Sequence, residues 1–379
     1  MSGGAERRVA VVTGSRAEFG LLEPALAALA RRPGVRTSVI ACGSHLVGDE
    51  PTVRDIEAAG FVVAARVPMQ MAGRTGRLED AVALGRGVEG LARVYAELAP
   101  DWVLVLGDRI EAFAAASAAS VAGVGVAHVH GGDRAEGVAD EAMRHAITKL
   151  AHLHLCATAQ SAERVRRMGE RAEDVLVVGS PAVDGLDEIA ALDDRAAAEL
   201  GDPAAVFLMH PSGTGSERDA ADGRALLAAL ERSLCGRAVL CLEPNFDAGR
   251  EAVLTMLSEE AGRRGWRVLA HLPRRTFVGL LKRLAARGGV LAGNSSAGLI
   301  EAAALRLPAV NIGGRQAGRE RPDNTVDAGD AAAAPGAVER ALMLERAGLT
   351  HPYGDGRSGE RIAAALADRR PEVRKRCVF

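Results

Sequence analysis

Residues 102–145 read WVLVLGDRIEAFAAASAASVAGVGVAHVHGGDRAEGVADEAMRH, and this stretch decides the fold. Trp102 to Leu106 is an uninterrupted apolar run, the pattern of a strand buried on both faces, and it stops abruptly at Gly107-Asp108-Arg109. The small residues from Ala112 to Ala122 predict a helix that lies close against a sheet. Gly125 to Val129 predicts the next strand, running out into His130-Gly131-Gly132. In open parallel sheets, ligands bind outside the carboxyl ends of the strands. Asp108, Arg109, Glu111, His128, His130, Asp133, Glu136, Asp140, Glu141, Arg144 and His145 therefore gather around two neighbouring strand ends and the acidic loop after them. Any one of them reads equally as a solvated turn residue. The whole set in one strand-helix-strand unit reads as a site.

The same alternation extends in both directions. Arg8 to Thr13 predicts the first strand, and Gly14 to Gly20 a tight loop onto a helix running from Leu21 to Ala30. Such a loop offers free backbone N–H groups to an anion, and Arg16 adds a full charge. Val35 to Ala41 predicts a second strand with His45 just beyond its end. Val62 to Val67 predicts a third, and Leu78 to Leu98 has helical periodicity. After Val175–Val178 the pattern restarts: AVFLM runs into His210-Pro211, AVLCL into Glu243-Pro244-Asn245, and GGVLAG into Asn294-Ser295-Ser296. The expectation is an α/β chain of two Rossmann-like domains facing across a cleft, 1–180 and 181–354, with a C-terminal helix in 355–379 crossing back onto the first. Pro371 to Phe379 reads as a mobile basic tail.

In the second half, Ser295 and Ser296 sit near a helix N-terminus, where hydroxyls cap the helix or donate to a phosphate. Glu301, about one turn inside, is within reach of a second hydroxylated group such as a ribose. Gly313 to Arg321 brings Arg315, Arg319 and Arg321 into a glycine-containing loop, which an anionic ligand explains better than a solvated face.

Composition narrows the classes. A length of 379 residues favours two cores over one, and 48% hydrophobic with 25% charged residues is ordinary for a globular protein. A formal net charge of -2 gives no field for nucleic acid or anionic membranes, and 3% aromatic residues gives no base-stacking platform. No apolar run reaches membrane-spanning length, and VAVV after Arg7-Arg8 is cut short by Thr13-Gly14, as a buried strand would be. The five cysteines lack a CxxC pair and read as reduced thiols of a cytoplasmic protein.

Taken together, TGSRAEFGLL (13–22), GSHL (43–46), GDRIE (107–111), HVHGGDRAEGVADEAMRHAITKLAHLHL (128–155), MGE (168–170), VGSPAVD (178–184), HP (210–211), GNSSAGLIEAAALRLPAVNIGGRQAGR (293–319) and PYGDGRSGERI (352–362) resemble the UDP-N-acetylglucosamine 2-epimerase family. The resemblance spans nearly the whole chain in order and is closest to the hydrolysing branch, which feeds sialic acid and related nonulosonic acid pathways. It implies a GT-B fold, UDP held mainly by the second domain and the sugar by the first, a homodimer, and chemistry without metal or nicotinamide. In that branch UDP leaves C1 by anti elimination as the C2 proton is removed, and water adds to the glycal to release the C2-inverted free sugar.

Residue by residue, the resemblance implies catalytic roles for Asp108 and Asp140. His130 stands where many members carry a catalytic Glu, and the resemblance to the HxHGG subgroup implies that Glu136, further on, takes over the missing carboxylate's role. It implies a diphosphate cradle of Arg16, His210, Ser295, Ser296 and Arg321, with Asn245 and Arg315 nearby and Glu301 on the ribose. His45 and Arg109 would line the sugar pocket, and Arg144 and His145 would shape it. Asp133 stands where Glu is usual, and the loop after His210 departs from the Thr-containing pattern. The alternatives are a non-hydrolysing epimerase that returns UDP to the glycal, a GT-B glycosyltransferase that needs an acceptor, and a catalytically idle sugar-nucleotide binding module. RHAITK, HP and NIGGRQ favour hydrolysis.

Overall fold

The computed structural model of the chain describes residues 6–48, 51–74, 76–134, 141–213, 215–245 and 249–378. They form two compact units, one of the described residues up to Asp133, from Glu141 to Asp184 and from Gly354 onward, the other of Arg134 and Gly185–Tyr353.

The first unit is built on a seven-stranded sheet of β1 (Arg7–Thr13), β2 (Val35–Cys42), β3 (Val63–Val67), β4 (Trp102–Leu106), β5 (Gly125–Val129), β6 (Leu153–Cys156) and β7 (Val175–Val177). Its order is β3-β2-β1-β4-β5-β6-β7, with every pairing parallel. Alternation along β1 separates the two core layers. Val9 and Val11 face Leu22, Leu26 and Leu29 of the first helix and Ile362 and Leu366 of the C-terminal helix, whereas Ala10 and Val12 face Ala112, Ala115, Leu91 and Tyr95. The alanine-rich helix Ile110–Val121 packs closely against Arg77–Leu98: a Cβ at Gly87 would stand 2.9 Å from the Cβ of Ala114.

The second unit holds β8 (Ala205–Leu208), β9 (Val239–Leu242), β10 (Arg267–Leu269), β11 (Val290–Gly293), β12 (Ala309–Ile312) and β13 (Thr325–Ala328) in the order β10-β9-β8-β11-β12-β13, again all parallel. Both sheets are doubly wound, and each reverses direction beside its first strand, between β1 and β4 and between β8 and β11.

The C-terminal helix Ser358–Asp368 lies on the first helix so closely that a Cβ at Gly359 would meet the Pro24 carbonyl carbon at 2.6 Å. Asp184 caps it, accepting from the N–H groups of Ser358 (2.9 Å) and Gly359 (2.6 Å). Beyond it the chain corrects an expectation: residues 369–378 are a strap, not a loose tail. The Trp102 indole donates to the Arg369 carbonyl at 3.1 Å, Arg171 pairs with Glu372 at 3.0 Å, and Val378 N–H donates to Gly169 O at 2.8 Å. Basic residues here have a buried acidic partner. Glu170, in the MGE motif, receives Lys149 (2.5 Å), Lys375 (2.6 Å) and His154 (3.1 Å).

Burial alone would raise the Glu170 carboxyl, but hydrogen bonds from His154, Lys149 and Lys375 outweigh it and hold it down at about 2. A depressed carboxyl stabilises the fold above its unfolded value of 4.5, and that contribution is lost as pH falls toward about 2. Glu170→Gln is expected to lower the unfolding free energy by about 3 kcal/mol at pH 7, with the difference from wild type shrinking on acidification. Urea unfolding at pH 7 and pH 3 reads both; equal stability of the two proteins at pH 7 would remove Glu170 as the strap's anchor.

Candidate active site

At the carboxyl end of β4, Gly107 takes a positive φ of 75°, and its carbonyl accepts the Nε2–H of His128 at 2.7 Å. His128 is fully buried on β5, and burial pushes it down to about 3, so the ring is neutral and serves to pin the turn that presents Asp108. Asp108 is paired with the Arg144 guanidinium, which also donates to Glu141 Oε2 (2.8 Å) and to the Asp133 carbonyl (3.2 Å). Glu141 and its partners lie one turn apart on the helix Glu141–Leu150, and its other oxygen meets His145 Nε2 at 3.2 Å.

His130 follows β5 with a φ of 64°, an uncommon conformation for a residue with a side chain. Its Nδ1 lies 2.8 Å from Asp133 Oδ2 and its Nε2 3.1 Å from Ser180 Oγ, while Asp133 Oδ1 accepts from Ser161 Oγ at 2.7 Å. Asp108, Arg144, Asp133 and His130 therefore form one continuous polar network. Glu136 and Asp140 lie outside the described residues.

Two expectations about the first unit change. The first helix starts at Arg16, five residues earlier than its apolar pattern suggested, because Ser15 caps it by accepting from Glu18 N–H at 3.3 Å. Glu18 turns back to accept the Gly14 N–H at 2.8 Å, a variant of the capping box, so an amide expected to await an anion is already engaged. Burial raises Glu18 to about 8, outweighing the Gly14 hydrogen bond. Arg16 meanwhile forms an exposed ion pair with Asp55 at 2.7 Å. His45 was expected at the sugar pocket. It is fully buried, its nitrogens 3.1 Å from Thr13 Oγ1 and 2.8 Å from Thr52 Oγ1, and burial pushes it down to about 4.

Glu111 belongs to the ionisable set of the 102–145 stretch, but the sequence assigned it no role of its own. It is fully buried, accepts from Gln70 Nε2 at 2.7 Å and pairs with Arg109 at 3.5 Å. Space for it exists only because Gly14 and Gly43 lack side chains: a Cβ at either would come within 2.5 Å of Glu111.

In the second unit the strand ends β8 and β11 are laced together by Asn294, whose amide accepts from His210 N–H (2.7 Å) and donates to His210 O (2.8 Å). Asn245 N–H donates to His210 Nδ1 at 3.1 Å, so the ring proton sits on Nε2, which faces Ser295 Oγ at 3.3 Å. Burial, with help from the Arg315 charge, pushes His210 down to about 3. Arg315 and Gln316 donate to the Asn294 carbonyl at 3.3 and 2.9 Å. Arg321 pairs with Asp327 at 2.8 Å and donates to the Gln316 carbonyl at 2.8 Å. Ser295 caps a single 3-10 turn, Ser296–Gly298, and Glu301 opens the four-residue helix Glu301–Ala304, where a position one turn inside was expected. The apolar run LIEAAAL hid the short turn that precedes it. Asn245, His210, Ser295 and Arg315 thus share one cluster; Arg321 joins through Gln316.

Two doubly wound parallel units with polar clusters at their switch points define the chain as an α/β protein of GT-B type. It belongs to the UDP-N-acetylglucosamine 2-epimerase family, whose profile matches residues 27–367. It is 35% identical over 375 residues, 95% of both chains, to a Legionella pneumophila protein named UDP-N,N'-diacetylbacillosamine 2-epimerase (hydrolyzing). It is 25% identical over 334 residues to the Campylobacter jejuni GDP/UDP-N,N'-diacetylbacillosamine 2-epimerase (hydrolyzing), covering 85% of this chain and 84% of that one. In fold it is similar to a crystal structure of a UDP-N-acetylglucosamine 2-epimerase homologue from Listeria monocytogenes, with a TM-score of 0.81, 21% identity, and 99% and 100% of the two chains covered.

Gly14→Ala is expected to destabilise the first unit by about 1–3 kcal/mol through overpacking against Glu111. Thermal and urea unfolding read it, and a neutral effect would mean that Glu111 has room to move aside.

Proposed function

We propose that the chain is a hydrolysing UDP-sugar 2-epimerase, converting a UDP-linked 2-acetamido sugar and water into UDP and the C2-inverted free sugar. The observation that carries this is the Asp108 carboxylate, set at the switch point of the first sheet against a buried Arg144. We assign catalysis and the sugar to residues 1–180 with the returning 355–379, and UDP to 181–354. Asp108, Asp140, Glu136 and His130 would move protons at C2 and at the leaving oxygen. Arg109, Arg144 and His145 would hold the sugar. His210, Ser295, Ser296, Asn245, Arg315, Arg321 and Arg16 would hold the diphosphate, and Glu301 the ribose. Elimination needs a base at C2 and donors for the charge that grows on the departing UDP, which this set supplies without metal or redox cofactor. The protein would work as a cytoplasmic homodimer.

Candidate substrates are UDP-GlcNAc and its 2,4-diacetamido-trideoxy relatives. The names of the Legionella and Campylobacter relatives favour the latter.

Proton NMR of the protein with each sugar nucleotide in deuterated water tests this. Free sugar of inverted C2 configuration carrying deuterium there, with UDP, is the expected product. A UDP-linked epimer would point to the non-hydrolysing branch, UDP release dependent on an added acceptor to a glycosyltransferase, and no change with any substrate would sink the proposal. Asp108→Asn is expected to lower kcat by about 10²–10⁴, the range for losing one acid-base group, with the Kd for UDP within about threefold. Calorimetric titration with UDP checks the second half, and Glu301→Ala should weaken that binding.

A further inference from the structure

His130 differs from six other histidines of the described residues whose hydrogen bonds fix a proton. His128 Nε2 faces the Gly107 carbonyl, and His145 and His154 Nε2 face the carboxylates of Glu141 and Glu170. His152, His210 and His351 each accept a backbone N–H at Nδ1. All six therefore carry the proton on Nε2. In His130 the carboxylate faces Nδ1 instead, at 2.8 Å, so the proton sits on Nδ1 and Nε2 is left with its lone pair. The Ser180 hydroxyl, 3.1 Å away, is the donor to that lone pair.

This arrangement is held from several sides. Asp133 is buried, and its remaining oxygen is engaged by Ser161 at 2.7 Å. Its own carbonyl accepts from Arg144, the residue paired with Asp108. Ser180 is buried and accepts the Ala182 N–H at 3.3 Å, which turns its hydroxyl proton toward His130. The ring is aimed by a left-handed backbone, a conformation disfavoured for a residue other than glycine. A neutral asparagine or water at the place of Asp133 would fill the same space without selecting a tautomer.

We infer that Asp133 is a positioning residue for the epimerase reaction: its carboxylate fixes His130 with Nε2 as a proton acceptor in line with Ser180, and its carbonyl ties this pair to the Arg144 that holds Asp108. Any proton taken up by Nε2 leaves an imidazolium whose charge Asp133 offsets, with no group having to reorient. The kinetic part rests on the proposed epimerase reading; the tautomer does not.

The test begins with wild-type protein labelled with ¹⁵N-histidine, the His130 signals being assigned by their loss in His130→Gln. Two-bond ¹⁵N–¹H correlation is expected to show His130 protonated at Nδ1, against Nε2 for His128 and His210 in the same spectrum. A His130 signal protonated at Nε2 would overturn the inference whatever the activity. Asp133→Asn, checked for folding by near-UV circular dichroism, is expected to shift His130 toward the Nε2–H form and to lower kcat at least 100-fold, with KM within about threefold. Ser180→Ala should leave the tautomer at Nδ1. A folded Asp133→Asn with unchanged tautomer and kcat within threefold of wild type would reduce Asp133 to a structural role. Should Asp133→Asn fail to fold, the wild-type spectrum still decides the tautomer, and Ser161→Ala, which loosens one carboxylate oxygen, is expected to lower kcat with KM unchanged.

Discussion

The Arg144 guanidinium is the constraint on which the first unit's site depends. Its side chain is 4% exposed, and a cation so buried must be paired. Its partners come from the end of β4 (Asp108), the loop after β5 (the Asp133 carbonyl) and its own helix (Glu141). The strand end, the loop after the next strand and the helix that follows are thereby held to one geometry. Removing one partner of a buried pair costs about 3–5 kcal/mol because the other charge is stranded. The arrangement is stable only as a whole, and that gives Asp108 a fixed direction.

Around this charged centre the buried histidines do a different kind of work. His45, His128 and His210 are pushed well below the ordinary imidazole range by burial, so they act as neutral hydrogen-bonding wedges beneath strand ends. Each joins a turn to a neighbouring strand or loop: His45 to Thr13, His128 to Gly107, His210 to Asn245 and Ser295.

Much of this was legible in the sequence, and the failures share a cause. WVLVL and GVAHV gave β4 and β5 residue for residue, since a strand buried on both faces is a continuous apolar run with turn residues at its end. The start of the first helix was misplaced because Arg16 to Phe19 is helical by virtue of the Ser15 cap, while its first turn carries no apolar stripe. The burial of His45 was not foreseen because a histidine at a strand end looks alike whether its ring meets solvent or two threonines. The strap from 369 to 378 looked loose because its attachment is a buried glutamate two hundred residues earlier in the chain. The burial of Glu111 was not foreseen for a related reason: its cradle is the absence of side chains at Gly14 and Gly43. Long-range complementarity of this kind leaves no local pattern.

The central claim is that the bond broken is between C1 of the sugar and the UDP oxygen, with Asp108 and its neighbours removing the C2 proton. Turnover in H₂¹⁸O separates this from attack on phosphorus most directly. The account predicts UDP whose β-phosphate carries no ¹⁸O by its ³¹P isotope shift, with the label confined to the released sugar. UDP labelled in the β-phosphate would place the cleavage at the P–O bond and contradict it.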